Sequence, residues 1–398
     1  MDQALERLLG GLEPIAGSER LPLQQARGRL LAETLLSPLD LPPFPNSAMD
    51  GYALRAEDSR SHATLRVIGT ALAGKPFAGA AGAGECVRIF TGAVLPDWAD
   101  AVAMQENVTR EGETIHLSAA VNPGDNARPR GNEIRAGQAL LPTGKRLGAA
   151  DLGLLASVGI AEVSVKRRLR VAFLSTGDEL RPVGQTLGPV EIHDSNRYVL
   201  DALLAELGVE ALDFGIVRDD PEALRQALLE AASQADAIVT SGGASVGDAD
   251  FIVEILGEIG QVEFWKVAIK PGKPFAHGRV GTVPLFGLPG NPVAVMVTFR
   301  QLVRPALLRL MGAAPATSLR FRAICGNRLH KRPGRLEFQR GVYRRSETGE
   351  FIVTGLAGQG SDRLTSVSQA NCYILLPLES AGVAAGEPVD IEPFDGPN

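Results

Sequence analysis

The sequence predicts a multidomain α/β protein whose central part is a parallel sheet covered by helices. The chain has 398 residues, more than a single hydrophobic core usually serves. Residues 168–316 alternate strand-like and helix-like segments, which is typical of a parallel sheet with helical crossovers. Residues 44–135 and 317–398 contain mainly short strand-like runs, so we expect a β domain on each side.

Residues 1–43 and 136–167 are predicted to form one discontinuous helical linker domain. Leucines at helical spacing predict a helix near Leu5 and Leu12 and a second near Leu30 and Leu36. The run GAADLGLLASVGI predicts a further helix that returns the chain to this domain. Between the two parts, the prolines of LPPFP exclude helix and mark a boundary.

The β domain at 44–135 is glycine-rich, and its candidate strands are TLRVIG, CVRIF and AVAMQ. The α/β domain at 168–316 contains the strands LRVAFLS, ALDFGIV, ADAIVT, VEFWKVAIK and VPLFGL. The last domain, 317–398, is expected to resemble a β-barrel, with strands in RFRAICG, LEFQRGVY, EFIVTG, CYILLPL and VDIEPF.

Capping residues delimit the helices of the α/β domain. Asp194 or Ser195 is expected to cap a helix that stops at Gly208, where a left-handed residue is easiest for glycine. Asp220 is expected to cap a second helix opened by Pro221. A third helix begins near residue 250, and Asn291 followed by Pro292 predicts the start of a long fourth one.

Composition excludes several classes of protein. A formal charge of −6 disfavours nucleic acid as the main partner, because phosphate backbones are bound by broadly basic surfaces. The cysteines, Cys86, Cys325 and Cys372, have no C-x-x-C spacing, so neither a disulfide framework nor a structural zinc site is expected. The N-terminus lacks a basic segment and no apolar stretch of about 18 residues occurs, so a cytoplasmic protein without a membrane span is expected.

Four polar loops follow strands of the predicted sheet, at the edge where open α/β folds bind ligands. These loops are LSTGDEL, RDD, TSGGASVGDAD and GLPGNP. Backbone N–H groups of the glycine loop and of the helix after GLPGNP suit phosphate, and the carboxylates suit a divalent cation such as magnesium. The candidate ligand-binding positions are Thr176, Glu179, Asp219, Ser241, Gly242, Gly243, Ser245, Gly247, Asp250, Pro289, Gly290 and Asn291.

Lysines supply positive charge after the third helix. If VEFWKVAIK is one strand, Lys266 and Lys270 point to the same face about 13 Å apart, at ~3.3 Å per residue. Lys273 follows the next turn and can join Lys270 at one anion. Lysines and carboxylates together predict a long polyanionic substrate that is bound at both of its ends, with a divalent cation bound between the two ends.

Each of these features also has a purely structural explanation. Taken alone, an SGG run is more often a tight turn than a binding site, and GLPGNP can be only the start of a helix. Asp219 and Asp220 can be helix-capping residues, and the lysines can form a solvated strand face. The histidines show no metal-ligand spacing, and a catalytic histidine is not indicated. Because four polar loops converge on one sheet edge, a ligand site is favoured.

Motifs along the chain resemble the MoeA family of molybdopterin molybdenumtransferases, which includes the C-terminal part of gephyrin. They are, in order, PPFPNSAMDGYALR, RIFTGAVLPDWADAVAMQE, STGDEL, TSGGASVGDADF, WKVAIKPGKP, GLPGNPVAV and PGRLEFQRG. The resemblance implies four domains in a homodimer, with each active site between the α/β domain and the partner's β domain. It also implies insertion of molybdate into the dithiolene of adenylylated molybdopterin, with release of AMP and a divalent cation, and contact with the molybdopterin adenylyltransferase.

The resemblance also assigns residues. Matching positions imply catalytic roles for Asp50, Thr91, Glu133, Glu179, Asp219, Asp250, Lys266 and Lys270, and metal binding by Glu179 and Asp250. Ser47 is expected to bind substrate, and the candidates for holding molybdate are Lys270, Lys273, Arg335 and Ser361. The family loop G-E-D-I is GNEI here, so the aspartate of the family is replaced by Glu133, whose side chain is one methylene longer. At a second position, Ala294 stands where the family commonly has serine.

Two other functions remain open from the sequence. A dimeric scaffold or molybdopterin carrier would not need the acids and lysines of the motifs, which argues against scaffolding as the sole role. A molybdopterin adenylyltransferase resembling MogA would share the α/β core, but AMDGYA and FTGA lie in the large β domain that such a single-domain enzyme lacks.

Overall fold

A computed structural model describes residues 1–61, 63–242, 251–313 and 318–394. The chain forms two compact units. Unit 1 contains Met1–Glu19, Gly28–Leu30 and Lys166–Asn398, and unit 2 contains Arg20–Arg27 and Leu31–Val165. The four domains predicted from the sequence divide the chain more finely, and their boundaries stay a prediction.

Unit 1 is built on a six-stranded sheet, called here the central sheet. Its strands are, in spatial order, Glu210–Val217, Arg170–Thr176, Ala237–Ser241, Val283–Leu288, Pro274–Val280 and Gly260–Lys266. The first four are parallel to one another, and Pro274–Val280 is antiparallel to both of its neighbours, Val283–Leu288 and Gly260–Lys266. The predicted α/β class is confirmed, but the strand Pro274–Val280 was missed.

The helices of the central sheet begin and end as the capping residues predict. Asp194 accepts a hydrogen bond from the Arg197 N–H (3.1 Å) ahead of the helix Ser195–Leu207, which stops at Gly208 with a φ of 73°. Asp220 accepts from the Ala223 N–H (2.8 Å) ahead of Pro221–Gln234. Two further helical segments are Phe251–Ile259 and a long helix made of Pro292–Thr298, a π-helical turn Phe299–Val303, and Arg304–Leu310.

The C-terminal part of unit 1 is a closed five-stranded barrel, as predicted. The strands follow the order Leu336–Arg345, Phe351–Gly355, Phe321–Cys325, Pro388–Pro393 and Cys372–Leu376, and the last pairs with the first. The helix Leu364–Ser368 was not predicted. Short pairs complete unit 1: Leu180–Arg181 with Ile192–His193, and Leu329–His330 with Gly382–Val383.

One apolar core joins the central sheet to the barrel. Phe173 of the sheet, Phe299 of the long helix and Phe338 and Tyr373 of the barrel belong to the same buried cluster. Burying a phenylalanine contributes roughly 2–3 kcal/mol, so this shared core stabilises both parts together. A second cluster on the opposite face of the sheet includes Leu228.

The segment VEFWKVAIK is not one strand, which corrects a prediction about its lysines. Gly260–Lys266 belongs to the central sheet, whereas Ile269–Lys270 pairs in parallel with barrel residues, Lys270 opposite Glu337. Between them the backbone turns, because the Ile269 N–H donates to the Val267 carbonyl (2.8 Å). Lys266 and Lys270 therefore do not share a strand face.

Unit 2 contains its own six-stranded sheet. The order is Ala101–Met104, Gly51–Leu54, Glu85–Ile89, Thr64–Ala71, Thr114–Leu117 and Val108–Glu111, so the three predicted strands are confirmed. Asn46–Ser47 pairs with Ala127–Arg128, and Leu35–Leu36 with Ala139–Leu141. The helices are Ala56–Ser61 and Ala149–Ser157, the second of which was predicted.

At the N-terminus, the helix Asp2–Gly10 confirms the first prediction, but the predicted second helix is wrong. The Leu31 N–H donates to Lys145 and the Ser37 N–H to Gln138, so this backbone bonds distant segments instead of its own turns. Among the described residues, no helix has the length and apolar character needed to cross a membrane. Cys86, Cys325 and Cys372 are buried and free.

Candidate functional site

Two strand ends of the central sheet bring together predicted substrate-binding residues. The hydroxyls of Ser175 and Ser241 are 3.0 Å apart on neighbouring parallel strands. Thr176 is only 6% exposed, yet its Oγ1 has no hydrogen-bond partner in the described parts of the chain. A buried hydroxyl without a partner is costly, which is consistent with a ligand or water at this position.

Gly242 links these strand ends to the GLPGNP loop. Its φ is +88°, and its N–H donates to the Leu288 carbonyl (3.1 Å). The Cβ of a larger residue at 242 would lie 2.6 Å from the Thr176 carbonyl oxygen. Only glycine fits this approach of two backbone segments.

The GLPGNP loop itself is held from two sides. The Asn196 Nδ2 donates to the Gly290 carbonyl (2.7 Å), and buried Pro289 precedes it. Asn291 occupies the predicted capping position, but its side chain makes no capping bond. The Val293 N–H at this helix start donates to the Ser361 carbonyl (3.1 Å). One N–H expected to receive an anion is therefore already bonded.

Carboxylates gather where two other loops leave the sheet. The Asp219 N–H donates to Oδ1 of Asp178 (3.3 Å). Burial raises the pKa of Asp219, and the negative charges of Asp178 and Glu179 raise it further. Glu179 is exposed and folds over Gly177. Mutual repulsion of this kind is relieved by a bound cation.

Several predicted residues cannot be located. Gly243, Ser245, Gly247 and Asp250 lie outside the described residues. Lys266 ends a described strand, but its side chain is also outside the described part. Within that part, no three histidine, cysteine or acidic side chains are arranged to hold a metal ion.

A basic cleft of about 400 Å³ lies beside the barrel. Lys270 and Arg335, both predicted to hold molybdate, line it, and their neighbours are His330, Lys331, Arg332, Pro333 and Glu337. The other two candidates for molybdate, Lys273 and Ser361, do not line the cleft. Lys273 is exposed, and its carbonyl accepts from the Val267 N–H (3.1 Å).

Lys331 of this cleft was not predicted. It is 8% exposed, and its ammonium donates to the carbonyls of Arg332 (3.3 Å), Leu378 (3.2 Å) and Ser380 (3.0 Å). These bonds tie the segment before Arg335 to a neighbouring loop. The basic run KRPGR was a usable signal, because it continues directly into Arg335.

Arg340 was also missed. It is 1% exposed, and its guanidinium donates to the Gly360 carbonyl (2.9 Å) and to Oγ of Ser366 (3.1 Å). Burial lowers the pKa of Arg340. Because Gly360 precedes Ser361, this buried cation positions the predicted molybdate residue. A single arginine within a strand pattern gave no signal of such burial.

In unit 2, the predicted pair Asp50 and Thr91 is in direct contact. Oδ1 of Asp50 accepts from the Thr91 N–H (2.8 Å) and from its hydroxyl (2.7 Å). These two donors, with a smaller contribution from the charge of Arg88, hold the pKa of Asp50 below its ordinary value. The carboxylate is therefore ionised at neutral pH.

Arg88, which was not predicted as a site residue, supports the turn that carries Asp50. It donates to the Gly51 carbonyl (3.0 Å) and to Oε1 of Gln105 (2.6 Å). Its guanidinium lies over the ring of Tyr52 (5.1 Å to the centroid) and over that of Phe90 (4.7 Å). The Gln105 N–H in turn donates to the Asp50 carbonyl (3.1 Å).

Ser47 and Glu133 have different surroundings. Ser47 is buried, and its hydroxyl donates to the Met49 carbonyl (2.5 Å), so it stabilises the loop before Asp50. Glu133 is exposed, and its N–H donates to the Leu41 carbonyl (2.9 Å). Its carboxylate takes no part in the bonds of the Asp50–Thr91 pair.

Three family models match this chain in succession. They are the MoeA N-terminal region (domain I and II) at residues 1–159, a probable molybdopterin binding domain at 172–309 and the MoeA C-terminal region (domain IV) at 322–394. The chain belongs to the MoeA family. The family resemblance of the motifs is confirmed, and the enzyme class of the family is transferase.

Curated relatives of this MoeA-family chain share most of its length. The protein named molybdopterin molybdenumtransferase from Haemophilus influenzae is 45% identical over 397 residues, covering 99% of this chain and 98% of the relative. Its namesake from Nostoc sp. is 37% identical, covering 96% and 90%. A crystal structure described as a molybdopterin biosynthesis moeA protein from Pyrococcus horikoshii OT3 superposes with a TM-score of 0.85 at 31% identity, covering 99% of both chains.

Proposed function

We propose that this chain acts in molybdenum cofactor biosynthesis and inserts molybdate into the dithiolene of adenylylated molybdopterin, with release of AMP. The observation that carries the proposal is the basic cleft lined by Lys270 and Arg335, on a chain 45% identical to a named molybdopterin molybdenumtransferase. A guanidinium and an ammonium are the usual ligands of a tetrahedral oxyanion.

In this proposal, Lys270 and Arg335 bind molybdate, and Arg340 holds the loop that presents Ser361. The positive charge of the cleft neutralises the oxyanion while the two dithiol sulfurs bond to molybdenum and pass their two protons to one oxygen of molybdate, which leaves as water. Pre-positioned cations favour such a step because they need no reorganisation during it. Lys273 is exposed and contributes to the approach of the anion.

The phosphate end of the substrate is proposed to bind at the strand ends around Thr176, Ser241 and the GLPGNP loop. Cleavage of the phosphoryl linkage to AMP mainly requires positioning and charge compensation, so no histidine base is needed. A divalent cation would be held by oxygen ligands from Glu179, Asp219 and Asp250, and when bound it supplies positive charge to the phosphates. Burial first, and then the negative charges of Asp178 and Glu179, raise the pKa of Asp219, and a cation at this position would compensate those charges.

Asp50 is proposed to orient a water molecule or hydroxyl group of the reaction. Its lowered pKa makes it a weak base, and Thr91 already occupies one of its oxygens with two donors. We further propose that the chain forms a homodimer, is located in the cytoplasm and contacts the adenylyltransferase. The catalytic role that the family pattern suggests for Glu133 is also a proposal.

The test is AMP release from purified protein supplied with adenylylated molybdopterin and magnesium, with and without molybdate. Molybdate-dependent release should fall sharply in Asp50→Asn. A matched control is Asp97→Asn, which changes an exposed aspartate of the same unit. If the wild type binds the substrate but releases no AMP with any divalent cation, the catalytic proposal is wrong and a carrier role takes its place.

A further inference from the structure

The basic cleft contains one carboxylate that none of the roles above uses. Among the described residues lining the cleft, Glu337 is the only acid beside Lys270, His330, Lys331, Arg332 and Arg335. Glu337 is 4% exposed, so its charge acts in a poorly solvated setting. A buried acid in a cleft built for anions opposes the binding of its ligand.

The contacts of Glu337 show what it does in the free protein. Oε1 of Glu337 accepts from the Lys270 ammonium (3.2 Å) and from Nε2 of Gln339 (3.0 Å). The strand pairing sets Lys270 directly opposite Glu337. Gln339, itself buried, also donates to the His330 carbonyl (2.8 Å), so the carboxylate is fixed from the barrel side.

The side chain of Lys270 is much more exposed to solvent than that of Glu337, its ion-pair partner. Its side chain is 45% exposed, whereas that of Glu337 is 5% exposed. The ammonium therefore has one side toward Glu337 and another toward solvent, where an oxyanion can approach. An incoming anion competes with Glu337 for the same positive charge.

We propose that Glu337 determines the oxyanion affinity and charge preference of this cleft by acting as the internal counter-ion of Lys270. The inference rests on the proposed function only in taking the cleft as the oxyanion site. Coulomb repulsion scales with the charge of the ligand, so Glu337 opposes a dianion about twice as strongly as a monoanion of the same shape. Its presence keeps the oxyanion exchangeable, which suits an anion that must leave the cleft during the reaction.

The experiment measures anion binding alone, by isothermal titration calorimetry on the full chain at low ionic strength. Molybdate is the tetrahedral dianion and perrhenate the tetrahedral monoanion. In Glu337→Gln, which keeps an oxygen acceptor for Lys270, we expect molybdate to bind about tenfold more tightly and perrhenate about threefold. Glu347→Gln is the matched control, because it removes the same charge from the exposed far end of the hairpin, ~26 Å or more along the strand.

An equal gain for both anions, or weaker binding of both, would overturn the counter-ion role. Unchanged affinity in Lys270→Met would show that molybdate binds elsewhere and would overturn it as well. Thermal unfolding of each variant checks that the fold is retained. Because neither measurement needs molybdopterin, loss of the insertion activity and failure of this inference are separate results.

Discussion

Replacement of Gly242 by alanine should destabilise unit 1 through two separate effects. Gly242 has a φ of +88°, a region that alanine occupies only at a cost of about 1–2 kcal/mol. The new Cβ would also lie 2.6 Å from the Thr176 carbonyl oxygen and 2.9 Å from its Oγ1. The carbonyl belongs to a buried strand end and cannot swing aside, so relief of the overlap requires a backbone shift costing about 1–3 kcal/mol. The expected total is about 2–5 kcal/mol.

Gly281 is a matched control in the same unit. It also has a positive φ, +58°, but nothing lies within 4 Å of the Cβ that alanine would add. Gly281→Ala should therefore pay only the backbone cost of about 1–2 kcal/mol. The difference between the two variants isolates the contact with Thr176.

Urea unfolding of the full chain, followed by tryptophan fluorescence and circular dichroism, measures both variants. The unfolding midpoint of Gly242→Ala should fall clearly below that of Gly281→Ala, at a similar denaturant slope. If both variants unfold at the same urea concentration, the close approach of Gly242 and Thr176 carries no energy and the reasoning is refuted.

Three further variants test other parts of the structure. Thr91→Val removes a hydroxyl donor, so the pKa of Asp50 should rise and the acid limb of the pH–kcat/KM profile should move to higher pH; an unmoved limb would contradict this. Arg340→Met removes the donor to the half-buried Gly360 carbonyl and to buried Ser366 Oγ and should cost about 2–4 kcal/mol in urea unfolding, against little for exposed Arg344→Met. Asp220→Ala removes a helix cap and should lower the free energy of unfolding by about 1 kcal/mol in the same assay. Glu222→Ala in the same helix should lower it by less.

Local signals in the sequence predicted local structure well. Asp194, Gly208 and Asp220 mark helix ends because a cap is a bond between a side chain and the backbone of the same short segment. The strand ends could be predicted for a similar reason, since a buried apolar run followed by glycine and polar residues allows few alternatives. Asp50 and Thr91 were identified by family motifs, and their contact could not be inferred from spacing.

Features that depend on distant partners were missed. VEFWKVAIK satisfies a strand pattern throughout, but the chain leaves the central sheet after Lys266 to pair Lys270 with the barrel. The leucines near residue 31 have helical spacing, yet the backbone N–H groups of Leu31 and Ser37 bond to carbonyls more than 100 residues away, at Lys145 and Gln138. Arg340 reads as an exposed strand residue, because nothing nearby in the chain reveals the glycine carbonyls that surround it.

The shared core of unit 1 has a consequence for its modularity. The match to the molybdopterin binding domain ends at residue 309 and that to the MoeA C-terminal region begins at 322, a division that would suit a barrel able to fold by itself. Yet Gln301 of the long helix donates to Glu392 of the barrel (2.6 Å), and Phe338 and Tyr373 complete the apolar layer beneath that helix. A fragment ending near residue 313 would expose that layer to water and tend to aggregate. In evolution and in engineering alike, the barrel should be exchanged only together with the helix face it covers.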